Sequence, residues 1–159
     1  MRRAVLALVL ATAAIAAQAG ELRGRVVAVA DGDTLTVLDS GQRQHRVRLA
    51  EIDAPEKRQA FGERSKQSLS ALCFGQQAVI EDQGRDRYGR VIGRVGCSGI
   101  DANAEQVRRG MAWVFDRYAA DRSLYALQDE AREARRGLWR DSAPVPPWEY
   151  RRAAAARRN

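Results

Sequence analysis

The chain is 159 residues long, with 27 Lys and Arg against 20 Asp and Glu, a formal charge of +7 and a single histidine. That length suits one domain with one core. One histidine, His45, excludes any mechanism that needs two, such as a paired-histidine ribonuclease or a two-histidine zinc site. The charge decides little: losing Arg2 and Arg3 with a leader leaves +5, and four of those charges are Arg151, Arg152, Arg157 and Arg158. Residues 20–150 therefore carry about +1.

Arg2 and Arg3, an uncharged apolar run over residues 4–16, and Ala17-Gln18-Ala19 read as the three regions of a secretory signal peptide. The run is shorter than the roughly 18 apolar residues of a membrane span. The expected organisation is a signal peptide over 1–19, a domain over 20–143, and a Pro-containing segment with a basic Arg/Ala tail over 144–159. The mature protein is expected to be secreted or periplasmic, without a membrane span and monomeric. An even cysteine count in an exported chain points to one disulfide between Cys73 and Cys97, with two buried free thiols as the alternative.

In chain order, residues 22–30 and 34–38 read as strands, separated by the turn signal Asp31-Gly32 and followed by Ser40-Gly41. Residues 45–52 alternate as a third strand, with Val47 and Leu49 on one face and Arg46 and Arg48 on the other. A helix is expected over 61–72, strands over 77–81 and 91–97, and a short helix over 102–109 ended by Gly110. The clearest helix runs over 123–136, with Leu124, Leu127, Ala131 and Ala134 at helical spacing and Gly137 at its end. Residues after Pro147 read as a frayed helix or as disorder. Five short strands with a helix after the third predict an α+β fold: a five-stranded OB-type barrel with about three added helices.

The chemistry-bearing residues fall in three stretches: Asp31-Gly32-Asp33-Thr34, Val47 through Glu56, and Asp86-Arg87-Tyr88-Gly89-Arg90. Asp33 and Asp53 supply hard oxygens for a cation, Glu56 a group to handle a water proton, and Arg48 and Arg90 planar forks for a phosphate. This is a set suited to cutting a phosphodiester with a divalent metal. Singly, each stretch also reads as a turn or a strand exit. There is no nucleophile elbow and no phosphate-binding P-loop.

Together the motifs resemble the staphylococcal nuclease (thermonuclease) family. The resemblance rests on V-A-D-G-D-T-L from Val29, V-R-L-A-E-I-D-A-P-E from Val47, Q-A-F-G from Gln59, D-R-Y-G-R from Asp86, R-R-G-M-A-W from Arg108 and G-L-W from Gly137. It implies a calcium site of Asp33, Asp53 and the carbonyl of Ala54, with magnesium or manganese as other candidate ions and Asp31 as an acid behind it. It implies that Glu56 activates or orients the attacking water and that Arg48 and Arg90 bind the scissile phosphate. Arg87 and Tyr118 match substrate-binding positions, whereas Asp116 stands where the family's prototype has a second tyrosine. The implied substrates are DNA and RNA, cut with low sequence specificity to leave 3′-phosphate ends. Two other readings stand beside it: a non-catalytic nucleic-acid-binding OB module, and an envelope interaction protein using its Arg tail.

Overall fold

The computed structural model describes residues 20–158; the signal peptide expected over 1–19 lies outside them. Three strands open the domain: β1 (Glu21–Val29), β2 (Thr34–Leu38) and β3 (Gln44–Leu49). They form an antiparallel meander in which Thr34 lies opposite Arg48 and Val37 opposite His45. After helix α1 (Gly62–Cys73), strands β5 (Gln77–Arg85) and β6 (Val91–Cys97) form a hairpin, and β5 pairs with β1. A parallel pairing of β3 with β6, Arg48 beside Ile92, closes the five strands into a barrel. Closure removes the open edges that a flat sheet of this size would present.

Alternation fills the barrel. Val26, Leu35, Val37, Val47, Leu49, Ile80, Val91 and Val95 are all buried. Period-two spacing puts such residues inside and turns Arg46 and Arg48 out. Leu69 and Leu72 of α1 and Val107 of α2 (Ala102–Arg108) close one end. Buried Asn103 ties α2 to the strands: its Nδ2 donates to the Ala50 carbonyl at 2.8 Å and its Oδ1 accepts from the Val95 amide at 2.9 Å. The Cys73–Cys97 disulfide staples the end of α1 to the end of β6, as the even cysteine count suggested.

The third expected strand, residues 45–52, is not continuous. Glu51 sits in the left-handed region at φ 64, which breaks the strand and starts a two-residue one, β4 (Ile52–Asp53). β4 pairs with β8 (Trp113–Val114), placing Asp53 opposite Trp113. Strand β7 (Ile100–Asp101) extends the β6 edge. Helix α3 (Ser123–Glu133) stops short of the expected residue 136, and a 3-10 turn over Gly137–Arg140 follows. Trp113, Ala131, Leu138 and Trp139 form a second small core there.

A fourth helix, α4 (Pro147–Ala156), occupies the segment read from sequence as frayed or disordered. Pro147 opens it in the first helical turn, where its missing N–H costs nothing. Trp148 anchors it, stacked on Phe115 at 5.4 Å between ring centroids and edge-on to Trp113 at 5.8 Å. No helix among the described residues is long and apolar enough to cross a membrane.

Candidate active site

The site is assembled where the β1–β2 turn meets the exit of β4. The turn is held from below. Gly32 has its carbonyl bound by Nε2 of buried Gln106 at 2.7 Å, and a side chain there would collide with Ser65 of α1. Asp31 Oδ1 accepts the Asp33 amide at 3.1 Å, an Asx turn that aims Asp33 inward. Asp33 is only 7% exposed; its Oδ1 accepts from the Thr34 hydroxyl at 3.0 Å and its Oδ2 from the Ala54 amide at 2.8 Å.

Arg48 leaves the outer face of β3 and spans this junction. Its Nη1 donates to the carbonyls of Leu49 (3.0 Å) and Ile52 (2.9 Å). Its Nη2 donates to Asp53 Oδ1 at 3.1 Å and lies 3.6 Å from Asp33 Oδ2. One guanidinium nitrogen thus faces both carboxylates. Asp53 is 1% exposed, so desolvation raises its pKa, with the neighbouring Asp33 charge acting the same way against Arg151 and Arg48. Burial, then the Asp33 charge, also pushes Asp31 up to about 6. Buried like charges at this density disfavour one another and favour a compensating cation.

Arg90 reaches the cluster from the β5–β6 hairpin. Asp86 folds the hairpin end by accepting the Arg90 amide (3.0 Å) and Nε (2.7 Å), leaving Arg90 Nη1 3.4 Å from the Thr34 hydroxyl. Desolvation works against the Asp86 carboxylate, yet the Arg90 bonds outweigh it and its pKa falls. Glu56 lies on the loop after β4, its amide held by Gln59 Oε1 at 3.1 Å and its carbonyl fitted against Gly62.

The structure therefore brings Asp31, Asp33, Arg48, Asp53 and Ala54 into direct contact. Arg90 joins through Thr34, and Glu56 through a residue that sequence reasoning missed. Arg151 of α4 makes a two-pronged contact with Asp53, Nη1 to Oδ1 at 3.2 Å and Nη2 to Oδ2 at 2.7 Å, and its Nη1 also meets Glu56 Oε1 at 2.8 Å. These bonds, that to Asp53 foremost, push the already high Arg151 pKa further up. Its sequence signal was present: Pro147 at a helix start, then Trp148 and Arg151 three residues apart on one helical face. Arg87 and Tyr118 stand apart from the acids; Arg87 bonds the Tyr88 hydroxyl at 2.7 Å, and exposed Tyr118 packs on Phe115.

The donor set is of the kind a hard cation takes. Asp33 and Asp53 offer carboxylate oxygens, the ligand type that calcium and magnesium take. Among the described residues no three or more Asp, Glu, His or Cys side chains form a metal-holding group, so a cation here would draw further ligands from backbone, water and substrate.

A five-stranded OB barrel with this rim of acids and arginines matches a described class. The family "Staphylococcal nuclease homologue" matches residues 46–141. Three relatives are similar over most of the chain. An "Uncharacterized endonuclease" of Escherichia coli is 46% identical over 132 residues, 82% of this chain and 86% of the relative. A "Micrococcal nuclease" of Shigella flexneri is 42% identical over 163 residues, 96% and 92% of the two chains. "Protein ParB" of Escherichia coli is 44% identical over 170 residues, covering 100% of this chain and 95% of its own. The chain belongs to the staphylococcal nuclease family.

Proposed function

We propose that this protein is an exported, calcium-dependent nuclease that hydrolyses DNA and RNA with low sequence specificity and leaves 3′-phosphate ends. The observation that carries the reading is the placement of Arg48, one nitrogen of which faces both Asp33 and Asp53 at the rim that Arg90 approaches through Thr34. Nuclease names among the relatives support the reaction class. The Cys73–Cys97 disulfide supports export, because such bonds persist in oxidising compartments.

In this reading Asp33, Asp53 and the Ala54 carbonyl hold the cation, and Asp31 keeps Asp33 oriented. The bound ion would offset the charge that develops on the phosphoryl oxygens. Arg48 and Arg90 place planar forks on the same phosphate, binding its extra charge in the transition state. Glu56 accepts a proton from water or orients it as the water oxygen attacks phosphorus. The bond from phosphorus to the 5′-oxygen then breaks, the 5′-oxygen takes up a proton, and the phosphate stays on the 3′ side. Arg87 and Tyr118 contact flanking phosphate and base; one tyrosine on an exposed edge gives a stacking surface without base-edge readout.

Arg48→Ala, Glu56→Ala and Arg90→Ala should each lower turnover on single-stranded DNA by about 100-fold or more, with far-UV circular dichroism unchanged. Full activity of all three would overturn the assignment. Retained DNA binding without product under calcium, magnesium or manganese would favour a non-catalytic binding module.

A further inference from the structure

Arg151 does more than decorate the rim. Both oxygens of the Asp53 carboxylate are engaged by it, and the same guanidinium also holds Glu56. The contact is built rather than incidental. Trp148, one helical turn earlier, stacks on Phe115, and Gln59 Nε2 donates to the Val145 carbonyl at 2.6 Å. These two anchors bring residues 145–151 back across the β4 exit. Beyond them α4 is lightly held, since Pro147 is its one buried residue. A crevice of about 230 Å³ also runs beneath the segment, lined by Pro55, Phe61, Trp113, Pro144 and Tyr150 among others. The arm is thus specific at its contact and loosely packed behind it.

A calcium ion bound through a carboxylate oxygen sits about 2.3–2.6 Å from that oxygen. The Arg151 nitrogens lie 2.7 and 3.2 Å from the same two Asp53 oxygens. A divalent ion and a guanidinium at such distances from one carboxylate repel each other, and the buried Asp53 side of the contact is screened little by water. Arg48 does not duplicate Arg151, because it reaches Asp53 only through Oδ1 and is pinned by the Leu49 and Ile52 carbonyls.

We propose that Arg151 is an internal counter-cation that competes with the metal for Asp53, and so sets how much calcium the site needs. The inference rests on the reading of Asp53 as a cation ligand. With Arg151 docked, one guanidinium charge is shared between Asp53 and Glu56 and the acids are kept together. Calcium displaces the guanidinium from Asp53, which also frees Glu56 for water. The apparent affinity equals the intrinsic affinity multiplied by the fraction of molecules whose guanidinium is undocked.

Calcium titrations followed by isothermal calorimetry test this without substrate. Arg151→Ala should bind calcium about three- to tenfold more tightly than the unaltered protein. Arg152→Ala, which removes the same charge from the next position of α4, should change affinity less than about twofold. Equal affinities for the Arg151 and Arg152 variants would overturn the competition while leaving the metal reading standing. Absence of calcium binding by every form, including the unaltered protein, would overturn the metal reading and the competition with it. Should Arg151→Ala not fold, the unaltered protein still answers by NMR. Arg151 guanidinium protons should exchange slowly in chelator and at free-arginine rates in saturating calcium; protection that survives saturation would overturn the proposal.

Discussion

One carboxylate oxygen of Asp33 accepts the amide of Ala54 at 2.8 Å, tying together two turns 21 residues apart. This bond fixes the β1–β2 turn against the β4 exit and sets the separation of Asp33 from Asp53. Gly32 permits it. A Cβ there would lie 1.8 Å from Ser65 Oγ and 2.8 Å from the Ala54 side chain. Gly32→Ala should therefore lower stability by about 1–3 kcal/mol through overpacking, read as the urea midpoint, and should reduce turnover by displacing Asp33. An unchanged midpoint would contradict the packing described here.

The acids behind the site make stability depend on pH. Asp31 has a folded pKa of about 6 against an ordinary 3.8, chiefly through burial and the Asp33 charge. The folded state binds its proton more tightly than the unfolded state, so stability falls as pH rises from about 3.8 to 6 and stays lower above that. Asp31→Asn keeps the oxygen that accepts the Asp33 amide and removes the charge. In chelator at pH 7 it should be more stable by up to about 3 kcal/mol. The gain should vanish near pH 3.5, and a variant no more stable at pH 7 would contradict the sign.

The disulfide joins the end of α1 to the end of β6 across 24 residues. Closing a loop of that size stabilises by roughly 3–4 kcal/mol by restricting the unfolded chain. Reduction, or Cys73→Ala with Cys97→Ala, should lower the unfolding free energy by about that amount in urea titrations. The cysteines lie away from the acidic rim, so turnover at low temperature should hold. A loss under about 1 kcal/mol would contradict the constraint argument.

Much of this site could be read from local pattern. Alternation in β3 put Val47 and Leu49 inside and Arg48 outside, and the turn residues Asp31-Gly32 placed Asp33 immediately before β2. What escaped the sequence was non-local. The break at Glu51 needs a positive φ in a residue that does not favour one. It is secured by distant partners: the Glu51 carbonyl accepts the Phe115 amide and its carboxylate accepts the Asp121 amide, both at 2.8 Å. Pro147, Trp148 and Arg151 marked a helical face, but where that face docks escaped for the same reason. The tail looked like an Arg/Ala run, and only the docking of Trp148 on Phe115 carries Arg151 98 positions back to Asp53.

Digestion of single-stranded DNA with calcium and with chelator, beside Glu56→Ala, tests the central claim most directly. The account predicts cutting that requires calcium, yields 3′-phosphate ends and falls by about 100-fold or more in the variant. Cutting that persists in chelator, or that Glu56→Ala performs as fast as the unaltered protein, would contradict it.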